Sequence, residues 1–330
     1  MVMYSHSKIS TFEQCPYKFK LRYIDKIIPE VEKTIEAHLG SAVHNTLEWL
    51  YQKAKEADSK KEIPTLDDLI IYYSDQWKKD FSQEILIVRD NMTSKDYFNK
   101  GVEFLVNYFK KHHPFDDGTI ELEKKIIFSL DSDGKYEIIG FIDRLAKNAQ
   151  TGDFEIHDYK TANSLPSKEK IETDRQLALY ALAIKDIHGY DNEVTLNWHY
   201  LAHNKKITSK RTNEELKELR KQTLQLIKKI ESANEFPANK SALCGWCEYK
   251  SMCPLFEKKV KENESAKKQG QVQESTEQQN TKSKENSEQS QKPKTEKREI
   301  KREIEINKPK TKTKPLDNKK YPTISKYLKD

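Results

Sequence analysis

The sequence is as informative in what it lacks as in what it carries. No apolar run approaches the roughly eighteen residues that span a bilayer, and there is no signal peptide or lipidation motif. These absences imply a soluble, cytoplasmic protein. The phosphate-cradling pattern G-x-x-x-x-G-K-[ST] occurs nowhere, which excludes a P-loop motor. No internal repeat is visible, which excludes a solenoid. Cysteine is scarce, with four in 330 residues, and glycine numbers only nine.

Scarcity is also uneven along the chain. All four Trp, all four Cys and eight of the nine Gly precede Lys258, and from Glu257 almost nothing apolar appears until the last ten residues. That stretch cannot bury enough surface to offset its ordering entropy, so it reads as disordered. It holds 21 Lys and Arg against 13 Asp and Glu, which leaves 38 basic and 40 acidic residues in the body. The formal charge of +6 therefore belongs to the tail. The expected organisation is a folded domain over 1–256, a basic linker over 257–320 and a short apolar end over 321–330.

Within the body, periodicity predicts helices over Ser7–Gln14, Ile35–Ala54, Leu66–Glu84, Lys95–His112, Lys168–Ile187 and Asn213–Ser232. Strands are expected over Thr119–Leu130, Tyr136–Ala146, Phe154–Lys160 and Glu193–Leu201. Helices, a hairpin-led sheet, then helix and strand make an α/β fold with a helical insertion.

Two short runs carry the chemistry: Gly140-Phe141-Ile142-Asp143-Arg144 and Ile156-His157-Asp158-Tyr159-Lys160. The polar stretch Lys147–Asp153 between them is a turn, and a hairpin about Gln150 and Thr151 sets Asp143 opposite Asp158. Cross-strand neighbours lie about 5 Å apart, close enough for two carboxylates to share one hard cation. Lys160 falls on the face of Asp158, and Tyr159 points away, leaving its carbonyl oxygen near the cation. Two carboxylates, a carbonyl and a lysine suit Mg²⁺-assisted hydrolysis. Downstream, Gln176 and Tyr180 are an i, i+4 pair on one helix face. Upstream, His44 lies in the helical run Leu39–Trp49.

The ordered set G-x-x-x-H, G-x-I-D-R, D-Y-K-T and Q-x-x-x-Y resembles the RecB-like branch of the PD-(D/E)XK nuclease superfamily, over roughly Tyr4 to Leu255. The resemblance implies a restriction-endonuclease-like core and a metal-dependent DNA nuclease, an exonuclease on single-stranded ends serving repair, recombination or CRISPR adaptation. It adds His44 to Asp143, Asp158 and Tyr159 as metal ligands, a histidine that tilts the choice from Mg²⁺ toward Mn²⁺. Lys160 then orients the attacking water or stabilises developing charge. Gln176 and Tyr180 face the scissile strand, holding a phosphate or stacking a base. Glu123 matches an acidic position that precedes the motif, and reads either as a ligand through water or as an exposed strand residue. Arg144 and Arg175 are candidate phosphate contacts, and His157 reads as a packed strand residue. With no motor in the chain, unwinding needs a separate helicase, and a working nuclease would be nucleoid-associated. A catalytically silent DNA-binding subunit, or a zinc-bound adaptor, is the competing reading.

Cys244, Cys247 and Cys253 form C-x-x-C-x-x-x-x-x-C, and Cys15 lies far upstream. Four thiolates fit tetrahedral zinc or an iron–sulfur cluster, and disulfides suit a cytosolic chain poorly. The one-plus-three spacing resembles iron–sulfur nucleases, including CRISPR-associated RecB-like exonucleases and AddB-type domains. It implies a 4Fe–4S cluster, with zinc as the alternative, stapling the two ends of the domain. At the far end Ile324, Tyr327 and Leu328 follow i, i+3, i+4 spacing. That spacing resembles a sliding-clamp-binding box, although Tyr321 stands where its leading Gln would be.

Overall fold

The computed structural model describes residues 2–29, 31, 33–57, 62–82 and 84–256. The linker 257–320 and the anchor Ile324, Tyr327 and Leu328 lie outside the described residues. In chain order the elements are β1 (Val2–Ser5), α1 (His6–Gln14), α2 (Pro16–Phe19), a π-helical turn (Lys20–Ile24), α3 (Ile35–Glu56), α4 (Leu66–Lys79) and α5 (Ser94–His112). They continue with β2 (Thr119–Ser129), β3 (Tyr136–Lys147), β4 (Phe154–Lys160), α6 (Lys168–Glu172), α7 (Arg175–His188), β5 (Val194–Tyr200), β6 (Lys205–Lys210) and α8 (Asn213–Glu231).

Local chemistry sets most of these boundaries. Thr65, Thr93 and Thr212 each close a reciprocal capping box with the acid three residues on, which fixes the starts of α4, α5 and α8. The helix expected over Lys168–Ile187 is two helices instead. Asp174 leaves helical space at ψ 119°, and its carboxylate accepts the Leu177 N–H at 3.0 Å, so a new helix starts there. The helix expected to reach Glu84 stops at Lys79. Two strands carry no legible pattern: β1 has four residues, and β6 is an exposed edge strand whose single apolar side chain is Ile207.

The strands form one mixed sheet in the order β1-β3-β4-β5-β6, with β2 also on β3. This is the α/β fold with a helical insertion expected from the sequence. β2 pairs antiparallel along nearly all of β3, from Thr119↔Ala146 to Ser129↔Glu137. β1 and β4 must therefore share the opposite edge of β3. β1 covers Tyr136 to Ile139 in parallel, and β4 covers Arg144 to Lys147 antiparallel. Gly140 to Asp143 lie in the gap between them.

Two cores flank the sheet. One, beneath it, joins Ile138, Ile142, Leu145 and Ile156 to α1, α7 and α8 through Ile9, Leu177, Ala181, Leu216 and Ile227. The other joins α3, α4 and α5 through Leu47, Tyr51, Leu69, Tyr73 and Leu105, and takes in Tyr159 from the sheet. The helical insertion thus packs on itself and meets the sheet where the gap opens.

Gly140 is dictated by this gap. A Cβ there would lie 2.4 Å from Tyr180 Cε1 and 3.0 Å from Cζ. Burial raises the Tyr180 pKa, and Gln176 and the Phe141 main-chain N–H near its hydroxyl pull the other way. Gly140→Ala is expected to cost about 1–3 kcal/mol through overpacking, or several degrees in Tm. In a Tyr180→Ala background the same substitution should cost much less, and calorimetry of the four proteins checks this.

Candidate active site

Pairing between β3 and β4 ends at Arg144↔His157, so Asp143 and Asp158 are the first residues past the point where the strands part. β4 continues alone beside β5 to Lys160. On its open edge Tyr159 still presents a main-chain N–H and C=O, and both are satisfied by side chains. The N–H donates to Asp143 Oδ2 at 2.9 Å, and the C=O accepts from His44 Nε2 at 2.7 Å. Because Nε2 carries that proton, His44 Nδ1 faces Asp143 Oδ2 at 3.4 Å, where a proton or a cation would satisfy both atoms.

Glu123 completes this corner. Leu122 pairs with Arg144 and Lys124 with Ile142, which sets Glu123 beside Asp143. Its φ of +43° is unusual for a residue with a side chain and stores strain at this point. The faces of the hairpin exchange here as well. Ile126 and Phe128 of β2 pack in the lower core, but Leu122, of the same parity, packs with the helical one. On β3, Ile142 enters the lower core while Arg144 reaches up to Tyr51 and Tyr159.

Ligand atoms of His44, Glu123 and Asp143 all lie within 4.8 Å of one another. They line a groove of about 430 Å³ with Gly40, Ser41, Asn45 and Glu48 of α3. One imidazole and two carboxylates suit a divalent cation of the Mg²⁺ or Mn²⁺ class. This trio joins the expected His44 and Asp143 to Glu123, for which the sequence left open a ligand role through water, and leaves out Asp158. Burial, then the charges of Asp143 and Glu48, push the Glu123 carboxyl up to about 7. Glu48 sits one helical turn after His44, a spacing from which its proximity could have been read.

Asp158 is buried and turned toward Lys160, with Oδ2 and Nζ 2.7 Å apart. Burial and the nearby Asp143 raise its carboxyl to about 6 against the pull of Lys160. Burial disfavours the Lys160 charge, but Asp158, Asp143 and Asp174 outweigh it and raise the lysine's pKa. Lys160 Nζ also donates to Gln176 Oε1 at 3.2 Å, and Gln176 Nε2 donates to the Tyr180 hydroxyl at 3.4 Å. Tyr180 is only 6 % exposed and lies beneath β3, so it reaches the site from below through Gln176 and the Phe141 main chain.

Neither candidate arginine is presented to the groove. Arg144 is fully buried: Nε donates to the Tyr159 hydroxyl at 3.2 Å, Nη1 to Thr119 Oγ1 at 3.0 Å, and Nη2 meets His157 Nδ1 at 2.8 Å. Asp117 Oδ1 lies 2.8 Å from Nη1 and balances the charge. The guanidinium thus ties β2, β3 and β4 together beside the gap, a role better suited to it than a phosphate contact. His157 is buried as expected, and burial together with Arg144 holds it neutral. Arg175 is engaged by Glu13 through contacts of 2.9 and 2.7 Å, which dock α7 on α1.

The four cysteines are free and partly exposed, and among the described residues no three sulfurs lie within 4.8 Å of one another. The sulfurs are thus not gathered at the spacing of one tetrahedral zinc ion. The two segments nevertheless meet: Lys18 pairs with Glu248 at 2.7 Å, Tyr17 donates to the Met252 carbonyl at 3.3 Å, and Tyr249 donates to the Ile27 carbonyl at 3.0 Å. Cys15 is close enough to Cys247 for its charge to help raise that thiol's pKa, after the larger effect of burial. No helix among the described residues is long and apolar enough to cross a membrane.

The chain is similar in fold to two solved structures. One is the protein SSO0001, at 13% identity and a TM-score of 0.37, covering 77% of this chain and 86% of that one. The other is a candidate exonuclease from Eubacterium rectale, at 14% identity and a TM-score of 0.42, covering 73% and 86%. No curated protein matches the chain in sequence. The family pattern is decisive where these distant likenesses are not: it matches residues 3–254, and the chain belongs to the PD-(D/E)XK nuclease superfamily.

Proposed function

We propose that the protein is a divalent-metal-dependent deoxyribonuclease acting on single-stranded DNA ends. The observation that carries this reading is the meeting of His44, Glu123 and Asp143 beside the Asp158–Lys160 pair. His44, Glu123 and Asp143 would hold the cation, with Asp158 and the Tyr159 carbonyl at its margin. Mg²⁺ or Mn²⁺ would supply a water of lowered pKa and a counter-charge for the phosphate. Lys160, charged and fixed by Asp158 and Gln176, stabilises negative charge that develops on the phosphate oxygens. Gln176 and Tyr180 keep that ammonium and the Gly140–Asp143 main chain in place. A role in repair, recombination or CRISPR adaptation, a helicase partner, and clamp binding through Ile324, Tyr327 and Leu328 form part of the same proposal. On end-labelled single-stranded oligonucleotides with Mg²⁺ or Mn²⁺, wild type should release short products while Asp143→Ala and Lys160→Ala fall by 10²-fold or more (about the scale of one lost transition-state donor). A covalently closed single-stranded circle should resist. Equal activity in wild type and Lys160→Ala would remove the assignment.

The raised carboxyls give the cation a pH dependence of definite sign. Glu123 and Asp158 retain protons up to about 7 and about 6, and a cation must displace them. Affinity for Mn²⁺ should therefore climb as pH rises from 5.5 and level off above 7.5, by at most about tenfold per pH unit for each proton displaced. Calorimetry in two buffers of different ionisation enthalpy measures the protons released. Glu123→Gln should bind more weakly and lose the part of the slope near pH 7.

We further propose that Cys15, Cys244, Cys247 and Cys253 hold a 4Fe–4S cluster, with zinc the alternative. Support comes from their spacing and from the hydrogen bonds that bring residues 15–27 against 248–252. The Cys-bearing segment contains only the short helices Ala242–Trp246 and Lys250–Met252, neither with a buried residue, and Tyr249 between them is its one buried side chain among the described residues. Anaerobically purified protein should be brown, with broad visible absorbance. Cys247→Ala should bleach it and lower Tm by several degrees, whereas colourless protein with one zinc per chain would select the alternative.

A further inference from the structure

The outer face of the β2–β3 hairpin is built differently from the rest of the sheet. On the covered side Ile126 and Phe128 face Ile138 and Ile142 in the lower core. On the other side Phe141 is 50% exposed and Ile127 43% exposed. Phe141 pairs with exposed Lys125, and Ile127 pairs with Ile139, so Phe141 and Ile127 are diagonal neighbours on one surface. A single exposed apolar residue would be ordinary. This pair, however, is continuous with the acidic corner: Phe141 and Asp143 are alternate residues of one strand, about 7 Å apart along it.

The backbone that carries the ring is held firmly. Beneath it, Tyr180 closes on Gly140, while β2 pairs the far edge from Lys124 to Ser129. An aromatic side chain fixed at its root and free at its face, next to a lysine, has the form of a stacking platform beside a backbone contact. Duplex DNA keeps its base faces covered by their neighbours. Away from its ends, only an unpaired base can offer one.

We propose that Phe141 is a base-stacking residue that receives an unpaired nucleotide flanking the scissile phosphate, with Lys125 contacting its backbone, and that this contact makes the site selective for single strands. The inference rests on the nuclease reading and assigns its single-strand preference to a named residue. The ring supplies a flat apolar surface that every base can use, so the preference is for strandedness and not for sequence. Lys125 supplies the salt-dependent part of the affinity.

The test uses the full chain and a fluorescent oligo-dT in EDTA, so that binding is read without hydrolysis. Phe141→Ala and Phe141→Leu should weaken oligo-dT binding about 5- to 100-fold, the range of one lost base stack. Phe141→Trp should restore it, with Trp fluorescence quenched beyond that of the wild-type tryptophans when oligo-dT is added. A series of oligonucleotides with an abasic site at each position in turn closes the cycle. At one position wild type should lose the same factor, and Phe141→Ala should lose little more. Unchanged oligo-dT binding in Phe141→Ala and Phe141→Leu would overturn the proposal. So would an equal loss on duplex DNA, or a wild-type dimer that these variants convert to monomer, since a second copy would then be the occupant of this face. Failure of the nuclease reading shows separately, as absence of hydrolysis by wild type with Mg²⁺ or Mn²⁺.

Discussion

The hydrogen bond from the Tyr159 main chain to the Asp143 carboxylate is the constraint on which the site depends. Two antiparallel strands part at Arg144 and His157, and the first open N–H on β4 would otherwise lack a partner in a buried setting. Asp143 supplies that partner with its side chain, so one carboxylate oxygen completes the sheet. The same residue is thereby fixed against His44 and Glu123, and the carbonyl of the same Tyr159 holds His44. A shift of β4 by one residue would break all of these at once.

Electrostatics beside this junction work in two layers. Toward the groove, burial, and after it the crowding of Glu123, Asp143, Asp158 and Glu48, raises the carboxyls of Glu123 and Asp158. Behind it, fully buried Arg144 is balanced by Asp117, donates to the Tyr159 hydroxyl and lies over the Tyr51 ring, and burial together with Arg144 keeps His157 neutral. The charged arginine costs desolvation, but its fork engages Tyr159, Thr119 and His157 together, so the three strands cannot slide independently. Strain at Glu123 belongs to the same picture. A left-handed residue in β2 lets the hairpin exchange faces and reach both cores.

The helical insertion has a parallel role. α3 contributes His44 from a helix packed on α4 and α5, while its start is tied to the Cys-bearing segment: Glu36 accepts from Trp246 at 3.2 Å and from Tyr97 at 2.7 Å. Glu36 thus links the Cys-bearing segment and α5 to the helix that carries His44. Nothing in the spacing of Trp246 and Glu36 announces this contact.

Much of the site was legible in the sequence because it depends on local periodicity. A polar turn between two apolar runs fixes a hairpin, alternation places Lys160 with Asp158, and helical spacing places Gln176 with Tyr180. The family's ordered motifs were legible for the same reason, since each is short. Tertiary structure decided between the two readings of Glu123 by bringing it to His44 and Asp143, and it alone committed Arg144 and Arg175 to structural partners. These outcomes depend on where β1 stops and β4 starts along one edge of β3, and on a reversal of faces that no periodic pattern encodes. A sequence records which groups can bond. Which of them remain open is settled only when strands and helices have taken every other partner.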